Sequence, residues 1–276
     1  MRPALVAVSE PAEVPVATTA PTHISIRKVT KTYQTKSGPV ESLLPIDLEL
    51  RRGEFLAVVG PSGCGKSTLL KLVAGLIPAT DGEILIDGAP VLEPPEGVGI
   101  VFQNPVLLPW RTVRQNVTLQ LQMRGRDPAR YAAAISQLIE TAGLTGFENS
   151  YPWELSGGMQ QRAAICRALV HDPEVLLMDE PFGALDAMTR EKMNAELQRI
   201  WAASRKTVLL ITHSIPEAVF LADRVVVMSS RPGSIEAIYE IGLARPRPLS
   251  VMGEPEFIDY CQAVRKHFFA QGDIDA

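Results

Sequence analysis

Phe55-Leu56-Ala57-Val58-Val59-Gly60-Pro61-Ser62-Gly63-Cys64-Gly65-Lys66-Ser67-Thr68 is the stretch from which the rest of the chain is read. Five apolar residues in a row, stopped by a glycine, read as a strand buried on both faces. Leu69, Leu70, Leu72, Val73 and Leu76 then recur at helical spacing, which predicts a helix over Lys66–Ile77. The turn between them fits G-x-x-x-x-G-K-[ST] at every fixed position. Glycines let the backbone curl until successive N–H groups converge on phosphate oxygens. The positive end of the following helix faces the same anion. Lys66 has the reach for the β and γ phosphates of a nucleotide, and the Ser67 hydroxyl is a ligand suited to Mg²⁺. The competing reading is a glycine turn that happens to precede Lys-Ser; the strand before it and the helix after it argue against that. Cys64 inside the loop is expected to have a lowered pKa at a helix N-terminus, with a tolerated variable position as the plainer reading.

Working outward, His23–Val29 and Ile46–Leu50 alternate apolar and polar residues as half-buried strands do, with the turn-rich Ser37-Gly38-Pro39 between them. Glu83–Asp87 and Val98–Phe102 read as short strands. Val113–Met123 and Pro128–Ala142 read as helices, the second started by Asp127-Pro128. Ser156 opens a helix to about His171, and Met188–Ser204 is a longer one. Val175–Met178, Thr207–Ile211 and Val225–Met228 read as buried strands, and Pro216–Leu221 as a short helix. An Arg/Pro-rich stretch from Arg245 precedes a final helix at Phe257–Phe269. Strands alternating with helices imply an α/β fold with a mainly parallel sheet. The helical span at about 104–167 interrupts that alternation as an inserted subdomain. The expected organisation is a disordered extension over 1–21, a nucleotide-binding domain over 22–245 and a helical tail over 246–276.

The bulk composition agrees. The chain has 276 residues, 46% hydrophobic and 21% charged, enough apolar material for a large core. A net charge of −4 speaks against attachment to nucleic acid by overall electrostatics. Three scattered cysteines, Cys64, Cys166 and Cys261, form neither a zinc pattern nor a disulfide framework, which suits a reducing cytosol. No apolar run approaches the roughly 20 residues of a membrane span, and 1–21 lacks the long apolar segment of a secretory signal. Work at a membrane is therefore expected to go through a partner.

Two further stretches carry chemistry. Val175-Leu176-Leu177-Met178-Asp179-Glu180 is a buried strand ending in two carboxylates. Beside a phosphate loop, Asp179 suits a metal and Glu180 suits general-base work on water; in isolation the pair reads as a cap for the next turn. Leu155-Ser156-Gly157-Gly158 starts a helix with a hydroxyl and free N–H groups, another anion-receptive end. By local chemistry alone it reads equally as a capped helix.

With these residues in order, the sequence resembles the ATP-binding subunit of an ABC transporter. The resemblance covers about 23–242: the phosphate loop Gly60–Ser67, the signature Leu155–Gly158, the strand Val175–Glu180, the loop Ala184-Leu185-Asp186, the glutamine Gln103 and the histidine His213. It implies a P-loop NTPase (RecA-like) core, an N-terminal antiparallel β subdomain and an inserted α-helical subdomain. It also implies ATP and Mg²⁺ as cofactors, with Gly60, Pro61, Ser62, Gly63, Cys64, Gly65, Lys66, Ser67 and Thr68 around the phosphates. Tyr33 is implied to stack on adenine. Ser67, Gln103 and Asp179 are implied at the metal, and Glu180, His213 and Gln103 in hydrolysis. Two copies are implied to stack head to tail, so that Ser156, Gly157 and Gly158 of one meet the γ phosphate held by the other and Asp186 crosses the interface. Alone, Gln103 reads as a surface amide and His213 as a helix cap.

The pattern is most similar to the nitrate, sulfonate and taurine importer branch. Leu107–Trp110, Met159-Gln160-Gln161-Arg162, Pro181–Asp186, Arg231-Pro232-Gly233 and Arg245-Pro246-Arg247-Pro248 all match it. The resemblance then implies transmembrane permease subunits, a periplasmic solute-binding protein acting indirectly, a place on the cytoplasmic face of the membrane, and no nucleic acid. Leu107, Leu108 and Trp110 read as part core and part docking cleft for the permease. A non-transport ATPase of the same family, working on DNA or ribosomes, is the alternative; no long heptad run and no second cassette support it. A P-loop kinase leaves Leu155–Gly158 and His213 without a role.

Overall fold

The computed structural model describes residues 20–183 and 185–270. In chain order the elements are β1 (Thr22–Thr35), β2 (Gly38–Arg51), β3 (Phe55–Val59), α1 (Lys66–Val73), β4 (Asp81–Ile86), β5 (Ala89–Pro90) and β6 (Val98–Val101). There follow α2 (Val113–Val117), α3 (Leu119–Met123), α4 (Ala132–Thr141), α5 (Gly157–Leu169), β7 (Val175–Asp179) and α6 (Ala187–Ser204). The chain continues through β8 (Thr207–Ile211), α7 (Ile215–Leu221), β9 (Arg224–Met228), β10 (Ile235–Glu240) and α8 (Pro255–Ala270). They form two compact units, one comprising residues up to Pro95 and from Arg205 onward, the other Glu96–Ser204. Of the expected N-terminal extension and tail, residues 1–19 and 271–276 lie outside the described residues, as does Ala184.

The first unit holds an antiparallel sheet in the order β2-β1-β4-β5 and a second run in the order β10-β9-β3-β8. In the antiparallel sheet Ile24 faces Leu50, Ile26 faces Leu48 and Val29 faces Ile46, so the alternation read from sequence sets the register. In the second run β3 lies parallel to both β8 and β9, and every residue of Phe55–Val59 is fully buried. That burial is why the strand reads as a continuous apolar run. β10 is antiparallel to β9 and was not expected from sequence. Its pattern, with only Ala237 and Tyr239 buried, is too weak to stand out. Helix α1 ends at Val73, four residues short of the expected Ile77. Gly75 adopts φ 67°, and a Cβ there would lie 2.5 Å from the Glu93 carbonyl, so the chain turns away through the left-handed conformation that ends helices.

The second unit pairs β6 with β7 in parallel, Val98 opposite Val175 and Val101 opposite Met178. The helices lie between these strands in sequence and share a core of Val113, Val117, Leu121, Ile135, Ile139 and Cys166, among others. The single helix expected over Val113–Met123 is two short ones, α2 and α3. Thr118 divides them, its hydroxyl donating back to the Arg114 carbonyl at 3.0 Å, a bond that competes with the helical ladder. The helix expected at Pro128 begins as a 3₁₀ turn over Pro128–Tyr131 before α4 takes over, with Asp127 accepting from the Ala129 N–H as anticipated. Among the described residues no helix is long and apolar enough to cross a membrane.

Candidate nucleotide site

The first unit carries the phosphate loop. Leaving β3, the backbone reaches φ 78° at Gly63 and 104° at Gly65, conformations that glycine adopts at little cost. A Cβ on Gly65 would sit 2.5 Å from Leu43 Cδ2 and one on Gly60 2.9 Å from Cys64 Sγ. The turn is thus curled as tightly as bare backbone allows. Gly65 accepts from the Leu69 N–H at 2.8 Å and opens α1. Lys66 is buried, and its ammonium donates to the Gly60 carbonyl at 2.7 Å and the Pro61 carbonyl at 2.8 Å. A cation is therefore already held across the mouth of the loop, where phosphate oxygens would meet it. Cys64 is 1% exposed. Burial pushes its thiol up, only partly offset by Lys66, which corrects the expectation of a lowered pKa: desolvation outweighs the helix end.

Two predicted partners lie beside this loop. Tyr33 on β1 places its hydroxyl 3.4 Å from Thr68 Oγ1 and its ring 5.2 Å from the Lys31 ammonium. Thr212, at the end of β8, donates its N–H to the Val58 carbonyl at 3.2 Å. His213 consequently emerges, exposed, beyond the carboxyl end of β8, as Gly60 does beyond that of the neighbouring parallel β3. What the sequence did not disclose is the frame around it. The Thr212 hydroxyl donates to Glu217 at 2.6 Å, and Ser214 caps α7 by accepting from the Glu217 N–H at 3.4 Å. The Ser-x-x-Glu spacing at 214–217 was the available signal. A second missed contact is Gly233. It exchanges backbone hydrogen bonds with Ser42 and Leu44, and a Cβ there would lie 2.0 Å from the Cys64 carbonyl oxygen. The glycine of Arg231-Pro232-Gly233 therefore backs directly onto the phosphate loop.

The second unit supplies the carboxylates and the signature. β6 and β7 run in register, and just beyond their ends the Gln103 amide donates to Glu180 Oε2 at 3.2 Å. Glu180 takes φ 45°, uncommon for a residue with a side chain; such a conformation is kept where a side chain must be aimed. Asp179, half-buried, closes β7. The segment after Gln103 is anchored from α5: Arg167, buried, donates to the Val106 and Pro105 carbonyls at 2.7 Å each. The fully buried Asn116 holds Leu108, Arg111 and Thr112. Leu107 packs on the helical core while Trp110 is 70% exposed, so the Leu107–Trp110 tip is divided between core and surface.

Ser156 caps α5, accepting from the Met159 N–H at 3.3 Å, with Gly157 exposed and Gly158 half-buried behind it. This end of α5 opens onto a 460 Å³ cleft that also involves Arg162, Thr189 and Lys192. Asp186 is exposed and accepts from the Thr189 N–H at 3.0 Å at the start of α6. The Thr189 hydrogen bonds hold its carboxyl below the usual range.

The family profile described as ABC transporter matches residues 43–183. An aliphatic sulfonates import ATP-binding protein of Bacillus thuringiensis is 46% identical over 224 residues, covering 81% of this chain and 88% of that one. A nitrate import ATP-binding protein of Synechocystis is 44% identical over 248 residues, covering 88% and 93%. A dimeric ABC transporter cassette superposes with a TM-score of 0.71 at 33% identity, over 80% of this chain and all of that one.

Proposed function

Because this chain belongs to the ABC transporter family, we propose that it binds and hydrolyses ATP to drive uptake of a small anionic or zwitterionic solute, of the nitrate, sulfonate or taurine kind. It would do so as a pair of copies bound to permease subunits on the cytoplasmic face of the membrane, with a periplasmic solute-binding protein delivering the cargo. The cargo class is supported by the likeness to nitrate and sulfonate import proteins. Pairing is supported by the likeness to a dimeric cassette. The one observation that carries the catalytic reading is the 3.2 Å bond from Gln103 to Glu180. It joins an amide able to sense a metal and water to a carboxylate able to deprotonate that water.

In this scheme the loop Gly60–Thr68 binds the phosphates and Tyr33 meets the base. The oxygen donors Ser67, Asp179 and Gln103 are the hard ligands that Mg²⁺ takes; the metal, when bound, neutralises charge on the phosphates. Lys66 exchanges the Gly60 and Pro61 carbonyls for phosphate oxygens. Glu180 accepts the proton of the attacking water. His213 donates to the γ-phosphate oxygens as charge builds there. The partner copy's signature serine and glycines complete the same phosphate site, and Asp186 lies at the interface between copies. The exposed Trp110 end of the segment after Gln103 is the proposed permease contact.

The test is Glu180→Gln. ATP binding should persist within about threefold, steady-state hydrolysis should fall by at least about 100-fold, in line with loss of a general base, and an ATP-bound dimer should accumulate in size-exclusion chromatography. Near-normal turnover in this variant overturns the assignment of the base.

A further inference from the structure

We propose that Arg247, in the Arg-Pro-Arg-Pro segment at 245–248, is a positioning residue for hydrolysis: it grips the carbonyl end of α7 and so fixes the helix whose opposite end presents His213. This rests on the role given to His213 above.

The Arg247 side chain is 2% exposed. One guanidinium nitrogen donates to the carbonyls of Val219 at 2.8 Å, Phe220 at 2.9 Å and Ala222 at 2.8 Å. These belong to the last turn and cap of α7, where carbonyls lack helical partners and the helix dipole favours a cation. The other nitrogens donate to Leu243, at 3.2 and 3.3 Å, and to Ile241 at 3.4 Å. The acceptors thus lie on α7 and on the strand exit after β10. Burial pulls the guanidinium down to about 10, so it stays charged at neutral pH.

Arg245 extends the same clamp. It donates to Asp223 Oδ1 at 2.9 Å and to the Leu221 carbonyl. Asp223 in turn accepts from the Phe55 N–H at 2.9 Å and donates its own N–H to the Phe55 carbonyl at 2.7 Å. The segment therefore ties the end of α7 to the start of β3, the strand that leads into Gly60. Pro246 and Pro248 restrict the backbone between and after the two arginines. At its other end α7 is fixed by the Thr212–Glu217 bond at 2.6 Å and the Ser214 cap. Seven residues make a rod of roughly 10 Å. A rod that short transmits a shift at its carbonyl end to its Ser214 cap and to the residue before that cap, which is His213.

The experiment is a double-mutant cycle on steady-state ATP hydrolysis by the full chain, with Arg247→Gln, Arg247→Lys, His213→Ala and the Gln/Ala double variant. Arg247→Gln should lower kcat about 10- to 100-fold, the scale of an ångström of misplacement, with KM for ATP within about threefold. Arg247→Lys should recover most of the rate, since an ammonium still serves the helix end. In the His213→Ala background Arg247→Gln should cost nothing more, because both act through one group. An unchanged kcat in Arg247→Gln, or independent multiplication of the two losses, overturns the positioning role. Wild-type kcat in His213→Ala instead overturns the role of His213 itself, a separate failure. If Arg247→Gln is recovered unfolded, Thr212→Val runs the same cycle from the other end of α7 and is read by the same two outcomes.

Discussion

Gly233→Ala offers the sharpest check on how the phosphate loop is supported. The new Cβ would fall 2.0 Å from the Cys64 carbonyl oxygen and 2.9 Å from Met228 Cε. Methionine can move, but a backbone carbonyl inside a loop bounded by Gly63 and Gly65 moves only with the loop. Reaching ordinary van der Waals contact needs a displacement of more than about 1 Å. Gly233 has little room to retreat, because its own N–H donates to Ser42 at 3.0 Å and its carbonyl accepts from Leu44 at 2.9 Å. An ångström of shift takes backbone N–H groups out of line with phosphate oxygens, and hydrogen bonds to charged groups contribute about 1.5–3 kcal/mol each. Misaligning one of them should weaken ATP binding roughly 10- to 100-fold. Isothermal titration of the purified chain measures this directly. Gly253→Ala, where a Cβ meets nothing within 4 Å, is the control and should stay within about twofold. Wild-type ATP affinity in a folded Gly233→Ala protein would falsify the idea that this glycine sets the loop.

Two other predictions separate local from shared effects. Ser156→Ala should leave the ATP affinity of a single copy intact, lower turnover at least about tenfold through loss of the partner-side phosphate contact, and cost about 1 kcal/mol in thermal stability through loss of the α5 cap; Ser156→Asp should restore the cap but not the rate, and weaker single-copy binding would argue against a composite site. His171 is 4% exposed, and burial, with Arg124 and Arg126 nearby, lowers its pKa to about 4. The unfolded chain therefore takes up a proton at this residue before the folded one does, so stability falls as pH drops from about 6.5 toward 4, by about 2 kcal/mol at pH 5. His171→Gln should flatten that part of a plot of melting temperature against pH, and an unchanged slope would show that His171 stays neutral for no cost.

How far the fold was legible follows from how much each residue depends on its neighbours in sequence. Phe55–Val59 is buried on both faces, so its character is entirely local, and its strand was read to the residue. Gly60, Gly65, Ser156 and Asp127 are likewise set by chain geometry within a turn. The strand Ile235–Glu240 escaped because only Ala237 and Tyr239 are buried, and its existence depends on β9 being there to pair with. The break at Thr118 escaped because nothing in Val113–Met123 announces it; a hydroxyl that bonds back to Arg114 is decided by the packing around it. Arg247 and Gly233 were visible as residues but not as roles, since their partners lie at Val219–Ala222 and at Cys64, between 25 and 169 positions away along the chain.

The same contrast explains how the chemistry is distributed. The first unit carries the phosphate loop, Tyr33 and His213; the second carries Gln103, Asp179, Glu180 and the signature. Among the described residues, the proposed phosphate grip and the proposed base for water fall in different units. Local motifs suffice to grip or to polarise, and those are the parts that sequence reading finds. Keeping each group aimed is left to long-range contacts such as Asp223 on Phe55 and Gly233 on Cys64. A substitution in a motif should therefore remove a chemical function outright, as in Glu180→Gln. A substitution in one of these supports should leave every functional group present and lower the rate or the affinity by misplacing it. The two classes can be told apart by whether a second substitution in the motif makes the first one silent.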